Sequence, residues 1–234
     1  MRGALGLYAI KPWFVARLGR VEDALVRRRV RPNVITATAI IVSIAAGAAI
    51  ALGGMLEQPL WWLAVPPLVL ARLALNALDG SVARRTGRAR PFGAALNELG
   101  DRACDAALLG ATATVAGPAL ALGAVAASQV VSITGVTAQA ITGRRDTSGP
   151  MGKADRAAVV AAGAVGGALL GSTRPFVIAL WVVIGGALIT AALRMLRLRR
   201  ALARPQVASL LAQGEVAIPD VPVVEEEMLY AIGR

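Results

Sequence analysis

The chain predicts an all-α, polytopic integral membrane bundle, with about six transmembrane helices and an N-terminal amphipathic helix at the interface. Three observations carry this. Hydrophobic residues make up 56% of the 234 and mean hydropathy is +0.64, which suits a chain solvated by lipid better than a water-soluble core. Apolar segments of spanning length recur at roughly 33–53, 60–83, 93–116, 119–141, 155–171 and 175–196, and about 20 helical residues cross a bilayer. Basic residues crowd every second connection between these segments.

Residues 1–31 read as a cytoplasmic juxtamembrane segment. The first apolar stretch is short and broken by Lys11 and Pro12, so a cleaved signal peptide is not expected. Phe14, Leu18, Val21 and Leu25 stand at i, i+4, i+7 and i+11, with Arg17, Arg20, Arg27, Arg28 and Arg29 elsewhere on the wheel. That pattern predicts a helix lying among lipid headgroups; an ordinary basic juxtamembrane segment is compatible with it. Pro32-Asn33 then opens the first span, with Asn33 or Thr36 available as a cap.

Residues 32–200 form the membrane domain, and its loops set the orientation. Arg27–Arg31 precede the first span; Arg84, Arg85, Arg88 and Arg90 fill the second loop; Arg144, Arg145, Lys153 and Arg156 the fourth; Arg194, Arg197, Arg199, Arg200 and Arg204 follow the sixth. The intervening loops hold only Arg174. The positive-inside rule places both termini on the cytoplasmic side of a cell membrane. The net charge of +11, arranged in loops, points to anionic lipid headgroups and not to nucleic acid. Gly163, Gly167 and Gly171 on the fifth span read as a close-packing ladder. Residues 201–234 read as a cytoplasmic tail carrying Asp220 and Glu225–Glu227 among Pro and Val, without assignable chemistry.

The second and third spans break the apolar pattern. Arg72, Asn76, Asp79 and Ala83 share one helical face, and Asn97, Asp101 and Asp105 repeat at i, i+4 and i+8 on the next segment. Ionisable groups inside spans mark functional sites by default; the blander alternative is a structural ion pair of Asp79 or Asp101 with Arg72, Arg84 or Arg102. Facing each other, the two stripes make an oxygen-lined pocket suited to Mg²⁺, Mn²⁺ or Ca²⁺. With no His and only Cys104, His-based catalysis, His-ligated metal and internal disulfides are excluded.

These residues, Asn76-x2-Asp79-Gly80-x2-Ala83-Arg84-x8-Gly93-x3-Asn97-x3-Asp101, resemble the signature of the CDP-alcohol phosphotransferase (CDP-alcohol phosphatidyltransferase) family. Gly80, Ala83, Arg84, Gly93, Asp79 and Asp101 match in register, whereas Asn76 and Asn97 stand where the family has its first and third aspartates. The resemblance implies a metal-dependent phospholipid-synthesis enzyme, a homodimer, that transfers a phosphoalcohol group from a CDP-alcohol such as CDP-diacylglycerol to a hydroxyl acceptor and releases CMP. Carried over, it makes Asn76, Asp79, Asn97, Asp101 and Asp105 candidate ligands of Mg²⁺ (or Mn²⁺), and Asp101 also the general base. Gly80, Ala83, Arg84 and Gly93 would then line the nucleotide site, Arg84 meeting phosphate oxygens.

Each Asn still offers an amide oxygen but removes a negative charge, so a weaker or single-metal site is expected. Glu98 and Asp105 are placed to restore charge, unless Glu98 simply pairs with Arg102 at i, i+4. The 143–156 loop resembles a Gly-Lys segment found in family members. Arg144, Lys153 and Arg156 are its candidates for binding the diphosphate or a phosphorylated acceptor, with orientation-setting as the alternative. The rival reading of the whole chain is a catalytically impaired relative acting as a lipid-binding or scaffold membrane protein. A small transporter also fits six spans, but leaves the signature unexplained.

Overall fold

The computed structural model describes residue 14 and residues 16–203, and among these every regular element is helical. The bulk of the predicted tail, from residue 204 onward, lies outside the described residues. A bilayer offers no water to backbone N–H and C=O groups, so a spanning chain satisfies them within helices.

The elements are α1 (Gly19–Arg27), α2 (Pro32–Met55), a 3₁₀ turn (Pro59–Ala64) running into α3 (Val65–Arg85), α4 (Pro91–Gly110), a one-turn α5 (Ala113–Ala116), α6 (Pro118–Thr142), α7 (Lys153–Leu170) and α8 (Arg174–Leu202). A helix therefore sits at each of the six apolar segments. Four are long and apolar enough to cross a membrane: α2, the 3₁₀ turn with α3, α6 and α8. The other two, α4 and α7, carry the charged residues of the polar stripes, Glu98, Asp101, Arg102 and Asp105 on the first and Lys153, Asp155 and Arg156 on the second.

Proline in the first turn opens α2, α3, α4, α6 and α8, where its missing N–H costs nothing and its fixed φ suits a helix. No side chain caps α2. Thr36, expected to share that role with Asn33, donates instead to Asp79 across the bundle at 3.0 Å. Gly143 ends α6 at φ 68° and Gly171 follows α7 at φ 57°, the left-handed conformation glycine adopts without a Cβ penalty. Gly171 thus terminates a helix and takes no part in the expected packing ladder. Gly163 and Gly167 do pack: a Cβ at Gly163 would fall 2.9 Å from Ala179 Cβ, and one at Gly167 2.9 Å from Trp62 Cε3.

Helix α2 packs on α3 and α4, and α6 and α7 pack on α8. The main core gathers Ile50, Trp62, Val65, Leu108, Leu109, Val160, Phe176, Leu180 and Val183. Trp62 is its wedge. It meets Phe176 edge-on with ring centroids 5.1 Å apart and donates its indole N–H to Ile50 O at 3.1 Å, which satisfies the one polar atom of the ring. Helix α1 does not stand apart from the bundle: Leu18, Leu25 and Val26 pack towards Ile35, Leu78 and Val82, and Arg85 pairs with Asp23 at 2.8 Å. Val21 remains exposed.

The wedge generates a paired prediction. A Cβ at Gly53 would sit 2.2 Å from Trp62 Nε1, whereas one at Gly185 meets nothing within 4 Å. Alanine gains about 1 kcal/mol of helix propensity over glycine, and overpacking costs about 1–3 kcal/mol. Gly53→Ala should therefore lower the thermal midpoint in detergent micelles, and Gly185→Ala should raise it.

Candidate active site

The polar groups converge where α3, α4 and the start of α7 meet. Asp79 sits on the wall of α3 facing α2, 3% exposed. Both of its oxygens accept hydrogen bonds, Oδ2 from the Thr36 hydroxyl at 3.0 Å and Oδ1 from the Gly80 backbone N–H at 2.6 Å. One turn earlier, the Asn76 amide donates to Asp101 Oδ1 on α4 at 2.8 Å, and the other oxygen of Asp101 accepts from Lys153 Nζ at 2.6 Å. Asn97 lies between the two carboxylates in sequence register, and its Oδ1 is buried without a hydrogen-bond donor.

Asp105 has a different environment from the other predicted ligands. Its Oδ1 lies 2.5 Å from Arg72 Nη2 and its Oδ2 2.5 Å from Arg156 Nη2, with all three side chains buried. Both of its oxygens are committed to guanidiniums, so it links α3, α4 and α7 instead of joining Asp79 and Asp101. Glu98 is likewise engaged by cations. It pairs with Arg102 one turn along α4 and bidentately with Arg145 of the loop, at 2.5 and 2.7 Å. The pairing considered from its i, i+4 spacing is therefore present, with a second arginine added.

Two cavities flank Asn97. The first, about 250 Å³, is lined by Asn33, Thr36, Asp79, Gly80, Ala83, Arg84, Gly93 and Asn97, and it adjoins a wider groove of about 590 Å³ at Arg31, Arg88, Arg90 and Phe92. Every signature residue expected to line a nucleotide site falls on the first cavity. At Gly93 the nearest atom to an added Cβ is Asn33 Oδ1 at 3.8 Å, so the bare backbone leaves open volume there. The second cavity, about 200 Å³, is lined by Asn97, Asp101, Arg102, Asp105, Arg145, Lys153, Arg156 and Arg194. Of the loop cations expected to bind substrate, Lys153 and Arg156 reach it; Arg144 is exposed, and its neighbour Arg145 lines the wall instead.

The loop between α6 and α7 owes its position to α8. Met151 N–H donates to Thr190 Oγ1 at 2.9 Å, Arg194 donates to Ser148 O at 2.9 Å and to Val131 O at 2.7 Å, and Arg197 reaches Ser148 Oγ and Asp146. Burial raises the Asp146 pKa, but the Ser148 N–H and hydroxyl, with Arg197 and Arg194, hold it below the usual carboxylate range. By sequence Arg194 and Arg197 read only as markers of orientation, whereas in the structure they hold this loop. The i, i+4, i+7 register of Thr190, Arg194 and Arg197 was the available signal that they share one face.

The donors fit a hard divalent cation. Asp79 and Asn97 both line the first cavity, Asn97 with an amide oxygen that has no donor, and carboxylate and amide oxygens are the ligands Mg²⁺ and Mn²⁺ take. Among the described residues no group of three or more His, Cys, Asp or Glu could hold a metal, so such an ion would rest on few charges.

Comparison with known proteins matches this architecture. The profile of the CDP-alcohol phosphatidyltransferase family covers residues 29–193. The chain is 36% identical over 162 residues to the inner membrane protein YnbA of Escherichia coli K12, an alignment spanning 65% of this chain and 76% of that one. Among solved structures, Mycobacterium tuberculosis phosphatidylinositol phosphate synthase (PgsA1) with CDP-DAG bound superposes with a TM-score of 0.65 at 23% identity, over 80% of this chain and 94% of that chain. The same synthase in complex with manganese and citrate gives 0.62 at 22% identity, over 76% and 87%. At that identity the likeness is one of fold. The apolar helices and the inner-membrane relative together describe a multi-pass membrane protein.

The two acidic ion-pair centres should differ sharply in cost. Removing one partner of a buried pair costs about 3–5 kcal/mol, because a charge is left uncompensated, whereas partly exposed pairs contribute about 0–1 kcal/mol. Asp105→Asn should therefore lower the thermal midpoint far more than Glu98→Gln, measured on the same detergent preparations.

Proposed function

The chain belongs to the CDP-alcohol phosphatidyltransferase family, transferases of substituted phosphate groups, and from that premise we propose that it moves a phosphatidyl group from CDP-diacylglycerol, or another CDP-alcohol, to the hydroxyl of a small acceptor, releasing CMP. One observation carries the reading. The signature residues Asp79, Gly80, Ala83, Arg84 and Gly93 line one cavity, Asp101 and Lys153 line another, and Asn97 borders both. In this reading donor and acceptor have separate chambers that meet at Asn97. The similar fold of a synthase solved with CDP-DAG bound supports the choice of donor.

In this reading the short side chains at Gly80 and Ala83 admit the nucleotide against the α3 backbone, and Arg84 binds phosphate oxygens by charge-assisted hydrogen bonds. Mg²⁺ or Mn²⁺, held by Asp79 and Asn97, would neutralise charge on the diphosphate and the CMP leaving group. Asp101 accepts the acceptor's proton; the Lys153 ammonium, 2.6 Å from its Oδ2, holds the carboxylate in place. Arg145, Arg156 and Arg194 surround the place where a phosphorylated acceptor fits.

All six long helices cross the membrane in this reading, with both termini cytoplasmic. The charged faces of α4 and α7 are turned inward to pair with each other, as intramembrane charges do. Asp79 is six residues from Arg85 at the end of α3, about 9 Å at 1.5 Å per residue. That depth brings a soluble nucleotide head and a bilayer-held tail to one place. Helix α1 lies at the headgroup level, and the protein acts as a homodimer.

The loss of charge at Asn76 and Asn97 is the observation that favours the alternative, a relative that binds CDP-lipid without turnover. CMP release from CDP-diacylglycerol by purified protein, with Mg²⁺ or Mn²⁺ and a panel of acceptor alcohols, separates the two. Acceptor-dependent release supports transfer, and CDP-diacylglycerol binding without release under any condition supports the alternative. Within the transferase reading, Asp79→Asn should reduce turnover to background even at saturating Mg²⁺. Asp101→Asn should reduce turnover by about 10²–10⁴-fold, the usual contribution of a general base, with CDP-diacylglycerol affinity nearly unchanged. Equal losses of turnover and affinity would instead make Asp101 mainly a metal ligand.

A further inference from the structure

The two asparagines that depart from the family signature have opposite surroundings, and the contrast divides the site. Asn76 Nδ2 donates to Asp101 Oδ1 at 2.8 Å. The carboxylate accepts only, so the amide must present its NH₂. An aspartate in that position would bring two like-charged oxygens to hydrogen-bond distance, an arrangement that needs a shared proton or an intervening cation. The amide removes that need. On the other side, Lys153 Nζ lies 2.6 Å from Asp101 Oδ2, so Asp101 has one neutral and one cationic donor, both supplied by the chain.

Asn97 shows the reverse. Its Oδ1 is buried without any donor, and the residue lines the first cavity together with Asp79. A buried amide oxygen left bare is costly, and a cation held together with Asp79 would satisfy it.

We propose that the catalytic centre holds a single divalent cation, at Asp79 and Asn97, and that Lys153, hydrogen-bonded to Asp101 alongside Asn76, takes the place of a second. The inference rests on the transferase reading above. Lys153 is then a positioning residue, which fixes the place of Asp101 without touching the nucleotide.

Mn²⁺ binding to the full chain in detergent micelles, followed by the electron paramagnetic resonance signal of free Mn²⁺, tests it directly. The wild type should bind one Mn²⁺ per chain, and Asp79→Asn should lose it. Asn76→Asp combined with Lys153→Met restores the repulsion and removes the ammonium, so this variant should bind two. Two Mn²⁺ per wild-type chain, or none, overturns the proposal, as does a folded double variant that still binds one. If the double variant does not fold, the wild-type stoichiometry alone decides. CMP release on the same preparations keeps the readings apart. Two Mn²⁺ with CMP release overturns the single-cation assignment and leaves the transferase reading standing, whereas one Mn²⁺ without release for any acceptor does the opposite.

Discussion

One carboxylate shared by two guanidiniums governs the interior of this protein. Arg72, Asp105 and Arg156 come from three helices and are closed off from water together, in a setting where an unpaired charge is far more expensive than in a soluble core. The attraction is directional, so it fixes rotation as well as distance. With Asp105 facing Arg72, the residues one turn away must face each other too, which puts Asp101 within reach of Asn76. With Arg156 drawn to the same carboxylate, the first turn of α7 is pulled in and Lys153 arrives at Asp101. The chemistry at Asp101 thus inherits its geometry from a pair of bonds one helical turn deeper.

The cations of the second cavity are mostly committed. Lys153 is held by Asp101, Arg156 by Asp105, Arg102 and Arg145 by Glu98, and Arg194 by the carbonyls of Val131 and Ser148. These cations outnumber the carboxylates that hold them, Asp101, Asp105 and Glu98, so the cavity keeps a net positive charge although most of its cations are already paired. Under the proposed transfer, a phosphate entering it would trade places with carboxylates, and the partly exposed Arg145–Glu98 pair is the cheapest to exchange. Selectivity in such a site follows from which of these bonds yields first.

The helices and the core of the site could be read from sequence for a simple reason. Spanning length and hydropathy are local properties, and Asn76, Asp79, Asn97 and Asp101 are expensive in lipid wherever the chain goes. All six segments became helices at the expected positions. Long-range pairing was less legible. Asp105 has the same i+4 spacing from Asp101 as Asp101 has from Asn97, and spacing does not reveal that Arg72 and Arg156 lie opposite it. Thr36 looked like a helix cap because a hydroxyl in a first turn commonly caps, yet its partner is 43 residues away in sequence. Arg194 and Arg197 carry the signature of an orientation signal, and only the folded loop shows that they also hold backbone carbonyls and Asp146 in place.

The fastening of that loop to α8 has a mechanical consequence. Met151 and Ser148 are tied to Thr190 and Arg194, and Lys153 opens the next helix two residues after Met151. Any sliding of α8 along its axis is therefore transmitted through a few rigid hydrogen bonds to the ammonium beside Asp101. A helix that touches neither Asp79 nor Asp101 by hydrogen bond acts as the tuning peg of the acidic centre. The longest of the described helices thus bears on the Lys153–Asp101 pair from a distance, through the backbone and hydroxyl groups of one loop.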